Sequence, residues 1–185
     1  RGEAFSAQSF QVFGGIDDGS GRHSLEQRAP RRLPEDLRSR VVSFASPLAP
    51  GSVLVRTGAR KLYFILPGGK AIEYNVGVGR EGFTWSGTNS VSRKAEWPDW
   101  RPPPEMIARE RRKGRELPAF MPGGPGNPLG ARAIYIGDTA FRIHGTTEPW
   151  SIGQAVSSGC IRMIDEEVID LYERVAIGAM VVVEP

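Results

Sequence analysis

The residues best suited to chemistry lie in one stretch: His144-Gly145-Thr146-Thr147-Glu148-Pro149-Trp150, then Ser157-Ser158-Gly159-Cys160-Ile161-Arg162-Met163. Cys160 is the single cysteine of the chain, so it has no internal disulfide partner and is either an inert buried thiol or a reactive one. A core cysteine more often sits in an apolar run. Cys160 instead follows two serines and a glycine, and small residues there let backbone N–H groups face a ligand, as an oxyanion hole requires. A free thiol has a pKa of about 8.5, so a neighbouring base is needed to raise the thiolate fraction at neutral pH. An imidazole can do this and can later protonate a leaving amine. The chain has two histidines. His23 lies in a segment without core pattern and reads as a solvated side chain. His144 ends an apolar run beside a glycine, 160 − 144 = 16 residues before the thiol, enough for a loop returning to the same sheet edge. Such a pair would do nucleophilic acyl transfer. On residue types alone, a merely structural histidine stays open.

Strands must position this pair. Val53-Leu54-Val55 is a short apolar run, Lys61–Leu66 a strand closed by Pro67-Gly68-Gly69, and Ala71–Val78 alternates in part. Thr84–Lys94 is rich in Thr, Ser and Val. Ala133–Ile136, Gly137-Asp138 and Thr139–Ile143 read as a hairpin delivering His144 at a strand end. Asp165 reads as an N-cap, with an acidic first turn at Glu166 and Glu167 and an apolar stripe of Val168, Leu171, Tyr172 and Val175. Ala179–Val183 is a final strand. Trp97 to Gly130 breaks the rhythm. Pro102-Pro103-Pro104, Glu105–Arg112 and Gly114 fit one short helix there, and so long an insertion (about residues 95–130) has the character of a lid or binding loop. The expected fold is mainly β: sandwich or barrel-like mixed sheets, few short helices, and a lid-like insertion. Residues 1–33 read as a flexible N-terminal extension, 34–51 as a linker packing on the domain, and 52–185 as the catalytic domain.

Composition narrows the classes. The 185 residues are 39% hydrophobic and 24% charged, ordinary for a globular protein, and 23 Gly with 15 Pro favour turns and short strands. The net charge of +3 suits an acidic polymer. The basic residues form no aromatic-interleaved stripe, so nucleic acid is not the expected partner. No apolar run approaches the roughly 18 residues of a membrane span. The chain begins with Arg1, which reads as a processed product whose signal segment has been removed. No cofactor is implied, and no His/Cys/Asp cluster has metal spacing. Gly123–Gly130 is not a phosphate loop, because it lacks the Lys-Ser/Thr ending and precedes a strand.

The stretch resembles the signature of the L,D-transpeptidase (YkuD-type) catalytic domain: His-Gly, about fifteen residues, then Ser/Thr-His-Gly-Cys-x-Arg/Asn. His144-Gly145, Ser157, Gly159-Cys160 and Arg162 match it. Val76-Gly77-Val78-Gly79, Gly123-Gly124-Pro125-Gly126-Asn127-Pro128-Leu129-Gly130 and Asp170-Leu171-Tyr172-Glu173-Arg174-Val175 extend the likeness over residues 52 to 185. Two places depart from it: Ser158 stands where the common form has a second His, and Thr84-Trp85-Ser86-Gly87 stands for Thr-Pro-x-Gly.

The resemblance implies that Cys160 attacks the carbonyl after the L-centre of diaminopimelate in a peptidoglycan tetrapeptide stem, releasing D-Ala and leaving a thioester that an amine resolves. It implies His144 as base and then acid, oriented by a backbone carbonyl, plausibly Gly145. It implies backbone N–H groups of Gly159 and Cys160 as an oxyanion hole, with Ser157 and Ser158 beside them and Arg162 for a stem carboxylate. Tyr135 and Trp150 are groove candidates, although aromatics near strands are more often core. Glu148 and Asp165 are possible acidic partners of His144, Asp165 being better explained as the helix cap. Action in the periplasm or envelope, a role in wall biogenesis and cell shape, and acylation by carbapenems are also implied. The acceptor is open: another stem's amine, an outer-membrane protein's amine, or water. The rival class is a non-catalytic wall-binding module.

Overall fold

Alternation in four short segments builds a sheet that is apolar on both faces. The computed structural model describes residues 37–81 and 85–185; His23, Thr84 and the expected extension 1–33 lie outside them. The strands are β1 (Arg40–Ser43), β2 (Val53–Arg56), β3 (Lys61–Leu66), β4 (Lys70–Asn75), β5 (Val78–Gly79), β6 (Gly87–Glu96), β7 (Arg132–Ile136), β8 (Arg142–His144), β9 (Ala155–Ser157), β10 (Ile161–Arg162) and β11 (Met180–Glu184), with helices α1 (Pro104–Arg112) and α2 (Asp165–Arg174). Nine strands form one mixed sheet, ordered β1-β4-β3-β2-β11-β6-β7-β8-β10, and β5 pairs with β9 separately. Antiparallel pairs dominate. β11 runs parallel to β2, β10 parallel to β8, and β5 parallel to β9.

In β2, β3, β4 and β11, Val53, Val55, Leu62, Phe64, Ile72, Tyr74, Val181 and Val183 enter the main core. The intervening Leu54, Tyr63, Ile65 and Ala71 form a second cluster with Val42, Phe44, Leu48 and Val182. Phe44 stacks on Tyr63 at 4.3 Å between centroids. Each fully buried aliphatic side chain contributes about 1.5–3 kcal/mol of burial. Arg40–Ser43, inside the stretch expected to be linker, forms the edge strand on β4.

β6 carries the sheet from one half to the other. Gly87–Ser90 pair with β11, Val91–Glu96 with β7, and the register shifts between Val91 and Arg93, where an irregularity re-aims the strand. Beyond it Ile134, Ile136, Ile143 and Ile161 turn into the same core that the first half fills, with α2 adding Val168 and Leu171. The fold is mainly β and sandwich-like, as expected.

Two expected elements differ in detail. Ala71–Val78 is not one strand: β4 ends at Asn75, because Gly77 leaves it to exchange two 2.8 Å backbone bonds with Arg162. The Thr/Ser/Val-rich strand spans Gly87–Glu96. The insertion contains α1, with Pro at its start and Gly114 (φ 73°) after its end. α1 buries no residue. Asn127 anchors the insertion instead: its buried amide donates to the carbonyls of Pro98, Met121 and Pro122 at 3.0–3.3 Å.

Candidate active site

His144 is the last residue of β8, paired with Ala133 of β7 and Arg162 of β10. Alternation sends Ile143 into the core and His144 to the opposite face. The imidazole is nevertheless buried, at 5% exposure. Its Nδ1 lies 2.6 Å from the Gly145 carbonyl. A carbonyl only accepts, so Nδ1 carries the proton and Nε2 keeps a lone pair. Burial lowers the pKa to about 3, the Gly145 bond opposes that, and the charges of Arg162 and Arg142 reinforce it. The ring is therefore neutral near pH 7.

Asp165 holds the turn after His144. Its Oδ1 accepts N–H groups of Ala131 (3.1 Å) and Thr146 (3.2 Å). This corrects the expected cap: the N-cap residue is Ile164, and no side chain caps α2. A Cβ on Gly145 would fall on Asp165 Oδ1, so only glycine lets the carboxylate close over this turn. Desolvation raises the Asp165 pKa, opposed by the two backbone bonds. The acidic first turn suggested Asp165, but nothing local identified its partners, which are 34 and 19 residues away.

Ile161 pairs with Ile143 and Arg162 with His144; Cys160 precedes β10, and the same register carried one residue back would set it level with Arg142, on the face of His144. In such a lattice diagonal neighbours lie about 7–8 Å apart at Cα, within reach of long side chains. The half-buried thiol faces the Ala140 carbonyl, Sγ to O 3.9 Å. Ser157, buried, braces the loop: its Oγ donates to the Cys160 carbonyl at 2.7 Å and accepts the Gly159 N–H at 3.1 Å. One of the two expected oxyanion donors is thus already engaged. Gly159 has φ 116°, a backbone state that other residues rarely adopt. Ser158 Oγ accepts from Arg109 of α1 at 3.3 Å, so the insertion touches the loop that carries Cys160.

Arg162 donates to Glu148 at 2.7 Å. Glu148 therefore partners Arg162, and the carbonyl of Gly145, not a carboxylate, orients His144. Trp150, in the turn Pro149–Ser151, is 61% exposed, and Tyr135 is partly exposed on the outer face. Neither is core. Sequence reasoning missed Arg93, Arg109 and Arg142. Strand alternation could have revealed Arg142, two residues before His144 on the same face. Among the described residues no group of three or more His, Cys, Asp or Glu could hold a metal. The arrangement offers a thiol, a neutral imidazole and backbone N–H groups, the components of acyl transfer.

The family profile of the YkuD L,D-transpeptidase catalytic domain matches residues 50–183, and the chain belongs to that family. Over 134 residues it is 37% identical to the probable L,D-transpeptidase ErfK/SrfK of Escherichia coli K12, a match covering 70% of this chain and 42% of that protein. The chain thus spans less than half the length of that relative. The crystal structure of L,D-transpeptidase 3 from Mycobacterium tuberculosis shares the fold (TM-score 0.55, 16% identity, 72% of this chain and 60% of that one). A Brucella melitensis structure described as a probable carnitine operon oxidoreductase is 42% identical with a TM-score of 0.54, covering 79% of this chain and 92% of its own. Its name points to a different chemistry from the family match. Among the described residues no helix is long and apolar enough to cross a membrane.

Proposed function

We propose that this chain is a cysteine L,D-transpeptidase acting on peptidoglycan tetrapeptide stems in the periplasm or cell envelope. The observation that supports the proposal is the β8–β10 pairing, Ile161 with Ile143 and Arg162 with His144, which runs the segment next to Cys160 alongside the strand that carries a neutral His144, whose Nδ1 donates to the Gly145 carbonyl. Cys160 Sγ attacks the carbonyl after the L-centre of diaminopimelate while His144 Nε2 takes the thiol proton. The C–N bond breaks, Nε2 gives that proton to the departing D-Ala amine, and a thioester remains. An acceptor amine then attacks the thioester, passes its proton to Nε2, and the sulfur leaves and is reprotonated. The Cys160 N–H receives the oxyanion, with Gly159 joining if Ser157 releases it. Arg162, steadied by Glu148, offers its remaining N–H groups to a stem carboxylate. Trp150 and Tyr135 flank the groove.

The acceptor is the amine of another stem, giving a 3-3 cross-link, or the amine of an outer-membrane protein, or water; the same thioester serves all three. The test is incubation of the purified protein with tetrapeptide-stem wall fragments, followed by mass spectrometry. Release of D-Ala and a protein mass raised by one acyl group are expected, and a carbapenem should leave an adduct on Cys160. Absence of D-Ala release and of both adducts would refute the activity, and product masses distinguish the three acceptors.

A further inference from the structure

The outer face of β6, β7 and β8 carries a cross-strand row of which the acyl-transfer steps use only Tyr135, at the edge of the groove. Arg93 is in register with Tyr135, and Tyr135 with Arg142. Ile143, next to Arg142, pairs with Ile161, next to Cys160, so the register carried one residue back sets Arg142 level with Cys160. The row walls a cavity of about 500 Å³ that Trp97, Asp99 and Arg101 help to close. The Arg93 guanidinium lies 3.8 Å from the Tyr135 ring centroid, that of Arg142 5.7 Å from the same ring, and that of Arg101 4.6 Å from Phe120. Stacking uses the flat face of a guanidinium and leaves its in-plane N–H groups for an anion.

The two acids of the cavity form no ion pair with these arginines. Glu96 pairs with Arg132 at 3.4 Å, and Asp99 accepts the Gly123 N–H at 3.3 Å. Arg93, Arg101 and Arg142 make no ion pair among the described residues. The Arg142 Nε is buried without a hydrogen-bond partner. Three guanidinium groups without ion-pair partners, two of them in a row directed at Cys160 and the third on the insertion, suit the binding of carboxylates.

We propose that the cavity of Arg93, Arg101 and Arg142 binds the free carboxylates of the acyl-donor stem peptide. This rests on the acyl transfer assigned above to Cys160. Neighbouring strands are about 4.8 Å apart, so Arg142 stands one spacing from the thiol and Arg93 about three, or roughly 14 Å. That is the reach of about four extended residues. A tetrapeptide lying across the strands from the sulfur can therefore set its carboxylates along the row.

The test uses the Cys160→Ala variant, which binds without reacting, titrated calorimetrically with the free-acid tetrapeptide and with the same peptide amidated at its carboxyl groups. The free acid should bind about tenfold or more tightly, the range of a charge-assisted hydrogen bond. Adding Arg142→Ala or Arg93→Ala should shrink the difference severalfold, leaving the part that Arg162 supplies, and Arg93→Lys should restore part of the loss. If Arg142→Ala does not fold, Arg101→Ala on the insertion serves instead. Equal binding of the two peptides, a preference that the arginine changes leave at its full size, or no binding of either overturns the subsite. The two proposals fail separately. Carboxylate preference without D-Ala release by the Cys160 protein would sink the chemistry, whereas release without preference would sink the cavity.

Discussion

The two halves of the large sheet obey different rules. In β2 to β4 and β11, residues of both parities are buried, and two apolar clusters sandwich the strands. In β7, β8 and β10 the large aliphatic residues lie on one parity: Ile134, Ile136, Ile143 and Ile161 fill the core, while Ala133, Tyr135, Arg142, His144 and Arg162 occupy the other face. The first half is a scaffold that is buried on both sides. The second uses one face for stability and frees the other for chemistry, with β6 belonging to both. Function needs polar groups held at fixed spacing, and a strand anchored through its alternate residues supplies that spacing without placing polar atoms in the core.

Substitutions on the two halves should separate activity from stability. The largest effect is expected at Cys160→Ala: acyl transfer falls about a thousandfold or more while thermal unfolding barely moves, because the thiol is only half-buried. An unchanged rate in stopped assays of D-Ala release would break the division. His144→Asn should lower the rate about 10²–10⁴-fold. It should also change the pH dependence of stability. Below pH 6.5 the unfolded chain binds a proton that the folded imidazole refuses until about pH 3. Stability is therefore lost as pH falls through this window, by about 2 kcal/mol between pH 6.5 and 4.5. Denaturant titrations at the two pH values should show that loss in the parent protein and a smaller one in the variant.

Leu62→Ala, in the scaffold half, should do the reverse. Leu62 is fully buried, so about 2–5 kcal/mol of stability is expected to go, with kcat/KM of the folded fraction unchanged. Asp165→Ala joins the two effects. Leaving the Ala131 and Thr146 N–H groups without their acceptor should cost about 1–3 kcal/mol and slow acyl transfer, whereas Asp165→Asn keeps an acceptor oxygen and most of both. The smallest effect is expected at Arg109→Ala, on the insertion: stability within about 0.5 kcal/mol and a change in KM rather than kcat. A drop in kcat alone would move Arg109 from the lid to the chemistry.

Much of this was legible because it is local. The apolar runs at Val53–Val55, Lys61–Leu66 and Ala179–Val183, the hairpin delivering His144 and the α1 boundaries all follow from periodicity, turn residues and the Pro/Gly asymmetry of helices. The Gly145 carbonyl as His144's partner was readable because it is the adjacent residue, but only through family resemblance. Trp150 and Tyr135 could not be assigned from type, since an aromatic near a strand suits either a core or a groove. Asp165 misled, because an acidic residue opening a helix has the same local signature whether it caps its own backbone or reaches another segment.

By itself, then, the sequence determined which atoms could react: one thiol, one imidazole outside the N-terminal stretch, and a glycine-flanked loop, each set by covalent identity and near neighbours. Tertiary structure alone decided which groups share a face. Glu148 went to Arg162, Asp165 to the turns at Ala131 and Thr146, and Arg93, Tyr135 and Arg142 fell into one row leading to Cys160. These partners are joined by strand register across distant segments, and register is fixed by burying one side of the whole sheet rather than by any residue's immediate neighbours.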